Sequence, residues 1–428
     1  MMFDRLSSGV QKPSPDSLPD GWQVFRLGDL CEVTGGGGLG LTKKDDYQSS
    51  GIPAYSAAGQ DGYVDVAEFD AEAVVLSSIG ARCGRCFYAS GKWATLANTQ
   101  VILPKDGRLD ARYLYFRVNR RSFWPISGSA QPFIKPSAIR DCWIEVPPAS
   151  EQKRIVNVLD TVDAAIQETD SVVEKQEQVK TGLLQDLLTR GLDADGRLRD
   201  PEREPEAFRE TELGTLPLDW EVVDLEAITK RITDGSHQAV DTLPEGSDGI
   251  PFLYVSCIRN GEIYWDQASR ITRETFESIS KGKEPKPGVI LYTTVGSYGH
   301  AALVEEEAYF SFQRHVGYID PDTDEISPQF LAYWLDSEYC KRHADKIALG
   351  SSQKTVTLRD LARYPVPLPS YEEQKMIAER LDESDSSIQG NKSYKNNLQS
   401  LKTGLMQDLL TGRVRVPEAE ARVDEIVA

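Results

Sequence analysis

Apolar residues recur at alternating four- and three-residue steps along two stretches of the chain. The first stretch runs Ile155, Leu159, Val162, Ile166, Thr169, Val173, Gln176 and Lys180, and closes on Leu183 and Leu187. The second runs Ile377, Leu381, Ser384, Ile388, Asn391, Lys395, Leu398 and Lys402, and closes on Leu405 and Leu409. A repeat of about 3.5 residues keeps one stripe of a helix facing a partner. Each stretch therefore predicts a coiled-coil helix with an apolar seam at both ends and a polar middle. Pro148 and Pro369 stand just upstream, where a helix begins but does not continue. Gly191 and Gly412 follow as stop signals. At about 1.5 Å per residue, 151–189 extends over roughly 58 Å.

The two helices are copies of one another. EQKRIVNVLDTVDAAI from Glu151 returns as EQKMIAERLDESDSSI from Glu373, and KTGLLQDLLT from Lys180 returns as KTGLMQDLLT from Lys402. Both pairs lie 222 residues apart, so the element between them keeps its length. The duplication extends outside the helices. LPDGWQVFRLGDL from Leu18 is echoed by LPLDWEVVDLEAI from Leu216, and Gly51-Ile52-Pro53 by Gly249-Ile250-Pro251, both at an offset of 198. GSAQ from Gly128 and GSSQ from Gly350 return to an offset of 222, so the second copy gains 24 residues inside its globular part. The runs VVLSSIG from Val74 and VILYTTVG from Val289 predict corresponding strands, each closed by a glycine turn. ARYLYFRVN from Ala111 and QFLAYWLDS from Gln329 predict short helices.

These elements predict an α/β (α+β) fold, internally duplicated with pseudo-twofold symmetry, in which two globular domains are joined by two long antiparallel coiled-coil helices. The expected boundaries are a flexible N-terminus over 1–17, a first domain over 18–147 and a helix over 148–190. A charged, proline-broken linker follows over 191–215. The second domain covers 216–369, the second helix 370–412 and a short polar tail 413–428.

Length and composition fit this layout: 428 residues with 40% hydrophobic and 9% aromatic content allow a core in each domain. No apolar run approaches the roughly 18 residues of a membrane span. The N-terminus lacks the basic-then-apolar order of a signal peptide. Six scattered cysteines do not form a disulfide framework, so a reducing cytoplasm is the expected location.

The net charge of −19 argues at first against a polyanionic partner. Counted by segment, the objection weakens. Residues 20–145 carry 14 basic and 14 acidic residues, 146–215 carry 9 and 16, 216–370 carry 15 and 24, and 371–428 carry 8 and 11. The first domain is neutral, and the acid lies in the helices, the linker and the second domain.

Candidate catalytic and metal chemistry is sparse. Cys83 and Cys86 form a CxxC in a glycine-rich turn, with no second pair and no histidine in the first half of the chain. His237, His300, His315 and His343 all lie in the second half, at spacings that suggest no shared metal. Gly35 to Gly38 lack the pattern of a phosphate-binding loop and predict a flexible loop. No catalytic residue and no metal ligand is assigned. Basic residues instead gather in turns beside aromatics and glycines, where they suit phosphates and base edges. In the first domain these are Lys43 and Lys44 near Tyr47, Arg82 and Arg85 near Tyr88, Lys92 beside Trp93, Arg120 and Arg121, then Gln131 and Lys135. In the second they are Lys230 and Arg231, His237, Arg259, Lys281, Lys283 and Lys286, then Tyr298, His300, Arg314 and His315, with Gln353 and Lys354 after them.

The paired motifs carry a family resemblance. Pro148 with Glu151-Gln152-Lys153 and Pro369 with Glu373-Gln374-Lys375 open the helices, and KTGLLQDLLT and KTGLMQDLLTGRVRV close them. PEAFRETELGTLPLDWEV from Pro205, ITDGSH from Ile232, GIPFLYVSCI from Gly249 and the GSAQ/GSSQ pair add to the pattern. Over nearly its whole length the chain resembles the specificity subunit of Type I restriction-modification systems. It departs from the pattern at the end of the first helix, where LLTRGLD stands in place of LLTGRVRV.

The resemblance implies two target recognition domains, each reading one half of a bipartite double-stranded DNA target. The helices would set the spacer between the halves, their roughly 58 Å corresponding to about 17 base pairs. It also implies two modification (methyltransferase) subunits that bind S-adenosylmethionine and flip the target adenine. Restriction subunits using ATP and Mg would join them, with no cofactor or catalytic residue in this chain. A specificity-like module of a Type II enzyme and a coiled-coil scaffold without a DNA role are the alternatives.

Overall fold

The computed structural model describes residues 8–14, 18–280, 284–306, 309–348, 354–417, 419 and 423. The chain divides into two compact units, Met1–Val172 with Asn391–Ala428, and Val173–Gly390. Both divisions fall inside a long helix, so each unit holds one globular domain and half of each helix.

The first unit contains β1 (Gln23–Arg26), α1 (Leu27–Leu30), β2 (Cys31–Gly35), β3 (Ile52–Ser56), β4 (Gly59–Val64), β5 (Phe69–Asp70), β6 (Ala73–Ser77), β7 (Cys86–Ala89), β8 (Lys92–Thr95) and β9 (Thr99–Pro104). Then come α2 (Ala111–Val118), α3 (Pro136–Asp141), β10 (Trp143–Val146) and the long helix α4 (Ala149–Arg190), which is divided between the units after Val172. Two four-stranded sheets have the orders β2-β9-β6-β7 and β4-β3-β8-β5, and β1 pairs antiparallel with β10. The apolar run Ala73-Val-Val-Leu-Ser77 is a central strand buried on both faces, which explains its lack of alternation.

The second unit opens with β11 (Phe208–Thr211), β12 (Gly214–Pro217), β13 (Glu221–Asp224), β14 (Thr229–Asp234), β15 (Ile250–Leu253), β16 (Ile258–Arg259), β17 (Glu262–Ile263), β18 (Ser269–Ile271) and α5 (Arg273–Ile279). It continues with β19 (Ile290–Thr293), β20 (Ala301–Leu303), β21 (Ser311–Phe312), β22 (Val316–Pro321), α6 (Pro328–Asp336), α7 (Glu338–Ile347), α8 (Leu358–Ala362), β23 (Pro365–Leu368) and the second long helix, α9 (Tyr371–Leu409). The order β14-β22-β19-β20 repeats β2-β9-β6-β7, and β13 pairs with β23 as β1 does with β10. The parallel pair β15–β21 repeats β3–β8.

Counted from the starts of the elements, the 24 extra residues fall in two places. The starts of β3 and β6 are 21 residues apart but those of β15 and β19 are 40 apart, which accounts for 19 and makes room for the β16–β17 hairpin and α5. The other five lie between α6 and α8, where α7 stands in place of a single 3-10 turn at Arg121–Phe123.

In each unit the helix halves run antiparallel. In the first, Asp163 pairs with Lys402 and Asp170 with Lys395, so seven residues forward on α4 match seven residues back on α9. Ile155, Leu159, Val162, Leu398, Leu405 and Leu409 are buried there, with Ile166 half-buried. In the second, Lys180 pairs with Asp385, and Gln176 Nε2 donates to Ser387 Oγ at 2.9 Å. Leu187, Ile377, Leu381 and Ile388 are buried and Leu183 half-buried.

The Glu-Gln pair that opens each helix anchors it to its own domain. Gln152 accepts from Asp110 N at 2.8 Å and donates to the carbonyls of Arg108 and Pro147. Gln374 accepts from Ser327 N at 2.7 Å and donates to Glu325 and Pro369. The proline that matches Pro369 is therefore Pro147, one residue before Pro148. Glu151 accepts from the Trp22 indole and pairs with Arg415, while Glu373 accepts from the Trp220 indole and pairs with Arg199. Burial pushes the Glu373 carboxyl above its usual value, against the pull of Leu192 N–H and Arg199.

Three expected loose segments are folded where they are described. The linker 191–215 turns at Gly191, forms a bridge between Leu192 and Leu198, and enters the β11–β12 hairpin, with Leu192 and Leu216 buried in the core of the second unit. The tail buries Val416, Ala419 and Val423 in the core of the first unit. Within 1–17, Gly9 N donates to Phe123 O and Gly9 O accepts from Trp143 N. Widely spaced leucines and backbone pairing hold the linker and the N-terminal segment and leave no periodic signal, while the tail is held by the short helical set Val416, Ala419 and Val423.

Candidate nucleic-acid interface

In the first domain the glycine turn between β6 and β7 meets the GSAQ loop. Gly80 N donates to Pro132 O at 2.8 Å, and Ile134 N donates to Ser78 O at 2.9 Å. Closing this turn places Arg85 beside Arg120 and Arg121, with Arg121 packed against Gly84 and Arg82 exposed two residues before it. A pocket of about 400 Å³ lined by Arg85, Arg120, Arg121, Phe87, Tyr115 and Asn119 opens here. Gln131 and Lys135 are exposed on the adjoining loop. Arg82, Arg85, Arg121 and Lys135 form no ion pair with another described residue, which leaves their charge to solvent or to a ligand.

The other basic candidates of this domain are not brought to that turn. Lys92 opens β8 opposite Asp70 on the second sheet. Lys43, next to exposed Lys44, is paired with Asp61 and lies 5.8 Å from the Tyr47 ring. Cys83 and Cys86 are buried and turned to the carbonyls of Ser78 and Val118, and burial raises the pKa of each thiol. No group of three or more potential metal-ligating side chains occurs among the described residues.

The glycine run 35–38 is held in place rather than loose. Gly36 N donates to Thr99 O, Gly37 N to Thr95 Oγ1 and Gly38 N to Glu68 Oε1. A Cβ on Gly36 would lie 2.0 Å from Thr99 Oγ1, so the glycine permits a close strand approach. Gly235, which opens the equivalent turn after β14, is as crowded against Phe312 O, at 2.1 Å.

The second domain repeats this scaffold with different side chains. Gly296 N donates to Lys354 O at 3.1 Å and Val356 N to Thr294 O at 2.9 Å, as Gly80 and Ile134 do in the first domain. Ser77 N donates to Arg85 O and Thr293 N to His300 O, so His300 stands where Arg85 stands. Ser78 N donates to Asn98 O and Thr294 N to His315 O, so His315 stands where Asn98 stands.

Around His315 lie Gln313, whose Nε2 is 3.3 Å from Nδ1, and Arg314, whose Nε is 3.2 Å from Nε2. His237 bonds Asp234 at 2.8 Å. Burial, then Arg314 and His237, hold the His315 imidazole below its ordinary pKa. Tyr298 donates to Asp345 at 2.5 Å, and His300 Nδ1 lies 3.7 Å from Asp336. Arg259 sits apart, opposite Glu262 in the β16–β17 hairpin. Lys281, Lys283 and Gln353 lie outside the described residues. Asn98, Asn119 and Gln313 reach these surfaces without having been marked in the sequence, because a single neutral amide carries no pattern until the strands place it.

No helix among the described residues is long and apolar enough to cross a membrane.

A family model described as the Type I restriction modification DNA specificity domain matches residues 19–175 and 217–400. The Type I restriction enzyme MjaVIII specificity subunit of Methanocaldococcus jannaschii is 26% identical, over 93% of this chain and 94% of its own. The EcoBI specificity subunit of Escherichia coli is 28% identical over 65% of this chain and 58% of its own. Among solved structures, the Type I restriction-modification system S subunit from M. genitalium matches the fold with a TM-score of 0.59 at 15% identity, over 94% of this chain and 99% of that one. With both copies of its duplicated domain matched, this chain belongs to the Type I restriction-modification DNA specificity family.

Proposed function

We propose that this chain is the non-catalytic specificity subunit of a Type I restriction-modification complex, with each domain reading one half of a bipartite DNA target. The carrying observation is the duplicated turn. One backbone scaffold presents Arg82, Arg85, Arg120 and Arg121 in the first unit, and His237, Arg314, His315 and Lys354 in the second. A constant scaffold with different donors and acceptors suits the reading of two different sequences.

The paired helices hold the two halves at a set spacing and offer their polar faces to two modification subunits. Those subunits supply S-adenosylmethionine, and restriction subunits supply ATP and Mg chemistry, in the cytoplasm. This division of labour agrees with a chain whose basic clusters are small and whose helices are acidic. Single-molecule methylome sequencing of cells with and without the gene tests the reading. One bipartite methylated motif is expected to vanish with the chain, and an unchanged methylome overturns the proposal.

A further inference from the structure

Each unit places a lysine of its closing helix motif at the same corner. Lys402 pairs with Asp163 and lies 5.7 Å from the Phe116 ring, while Lys180 pairs with Asp385 and lies 5.8 Å from the Tyr333 ring. In the first unit a second cation completes the corner. Arg112 donates to Asp160 Oδ1 at 2.7 and 2.9 Å, and its guanidinium lies 4.8 Å from the Tyr88 ring, 5.2 Å from Tyr115 and 4.9 Å from Phe116. Stacking and a carboxylate together make this a built guanidinium site.

The second unit keeps the carboxylates and lacks the guanidinium. At the offset that carries α2 onto α6, Arg112 becomes Gln329 and Tyr115 becomes Ala332, and the strand offset carries Tyr88 onto Leu303. Asp160 becomes Asp382, which accepts a hydrogen bond from Tyr333 Oη at 2.7 Å and forms no ion pair with a described residue. The vacated space is a pocket of about 570 Å³ lined by these residues. Lys180 faces Glu262, Glu305, Asp336, Asp382 and Asp385 there, a net of four negative charges. Its size falls within the range of pockets that hold ligands, about 300–1,000 Å³.

We infer that this pocket receives an arginine side chain from a partner polypeptide, which supplies in trans the cation that Arg112 supplies from within the chain in the first unit. The partner fits by charge, since Asp382 occupies the position from which Asp160 accepts the Arg112 guanidinium. The two units would then hold their partners differently, although the helices they offer are copies. With the modification subunit as that partner, the inference rests on the function proposed above.

Two measurements on the full chain test it. N-acetylarginine amide at millimolar concentration is expected to raise the thermal midpoint of the wild-type chain by a degree or more, and to leave that of Gln329→Arg unchanged because its own side chain fills the site. Equal responses overturn the inference, as does a Gln329→Arg chain that melts below wild type. In the second, modification subunits are titrated into each chain. Gln329→Arg is expected to weaken one of two binding events at least tenfold and to spare the other, and two unchanged affinities overturn the inference. Should wild type bind no modification subunit, the proposed function fails, and the arginine-amide readout still decides whether the pocket is a guanidinium site.

Discussion

At the scale of single residues, His315 stands where Asn98 stands on the shared scaffold and gives the second domain an imidazole that a bound phosphate can charge. The groups facing His315 are Gln313, Arg314 and His237, which itself pairs with Asp234. Free, the imidazole is held below its ordinary pKa. A phosphate brought to it would favour the charged form and raise the pKa, so binding takes up a proton. Affinity for the second half-site is therefore expected to rise as pH falls toward the lowered pKa of the free imidazole, with little change for the first half-site. Fluorescence anisotropy with duplexes altered in one half-site measures this, and His315→Gln should flatten the slope. A slope that persists in His237→Gln/His315→Gln places those imidazoles away from DNA.

Arg117 gives a second residue-scale expectation. It is 1% exposed and paired with Glu145, whereas Trp334 and Pro367 occupy the matching positions of the other unit. Removing one member of a buried pair strands the other charge, so Arg117→Met should cost about 3–5 kcal/mol by urea unfolding.

At the scale of elements, the repeated Glu-Gln motif explains why the helix openings agree while the domains differ. Gln152 and Gln374 each satisfy a backbone N–H and two carbonyls where helix, strand end and helix cap meet. Gln374→Leu leaves those groups buried without partners and should lower stability by about 1–3 kcal/mol, read as a lower thermal midpoint. On the proposed function, the helices carry the spacing. Deleting one turn from α4 and the opposite turn from α9 keeps the pairing of Asp163 with Lys402 and Lys180 with Asp385 if the cut lies between them. Such a chain is expected to methylate the same two half-sites at a shorter spacer, which methylome sequencing reads directly. An unchanged spacer rules out the helices as the ruler.

At the scale of the whole molecule, the acidic total and a DNA target are compatible because charge is distributed by role. Arg82, Arg85 and Arg121, which form no ion pair with a described residue, stand at one turn of the neutral first domain, while most carboxylates lie on the helices, in the folded segment after α4 and in the second domain. Replacing 216–369 with the same segment of a relative should change one half of the methylated motif and keep the other half and the spacer. A change in both halves contradicts the modular reading.

The duplication, the two long helices, their polar middle and the 24-residue gain were legible in the sequence, because periodicity and register are properties of spacing alone. The family resemblance was legible for the same reason, since its motifs sit where the repeats agree. Residues that act through long-range neighbours were not. Arg112 stacks on three rings, one of them 24 positions upstream, and pairs with Asp160, 48 positions downstream; its absence from the second unit becomes a pocket only when α6 packs on the helices. The linker read as loose because its buried leucines are too far apart to set a period, and the tail because its helical spacing, Val416, Ala419 and Val423, is too short a run to stand out among charges. Closure of the tertiary fold decided which basic turns meet and which lysines are already paired, since loop pairing and ion-pair distance depend on three-dimensional position, which spacing along the chain does not encode.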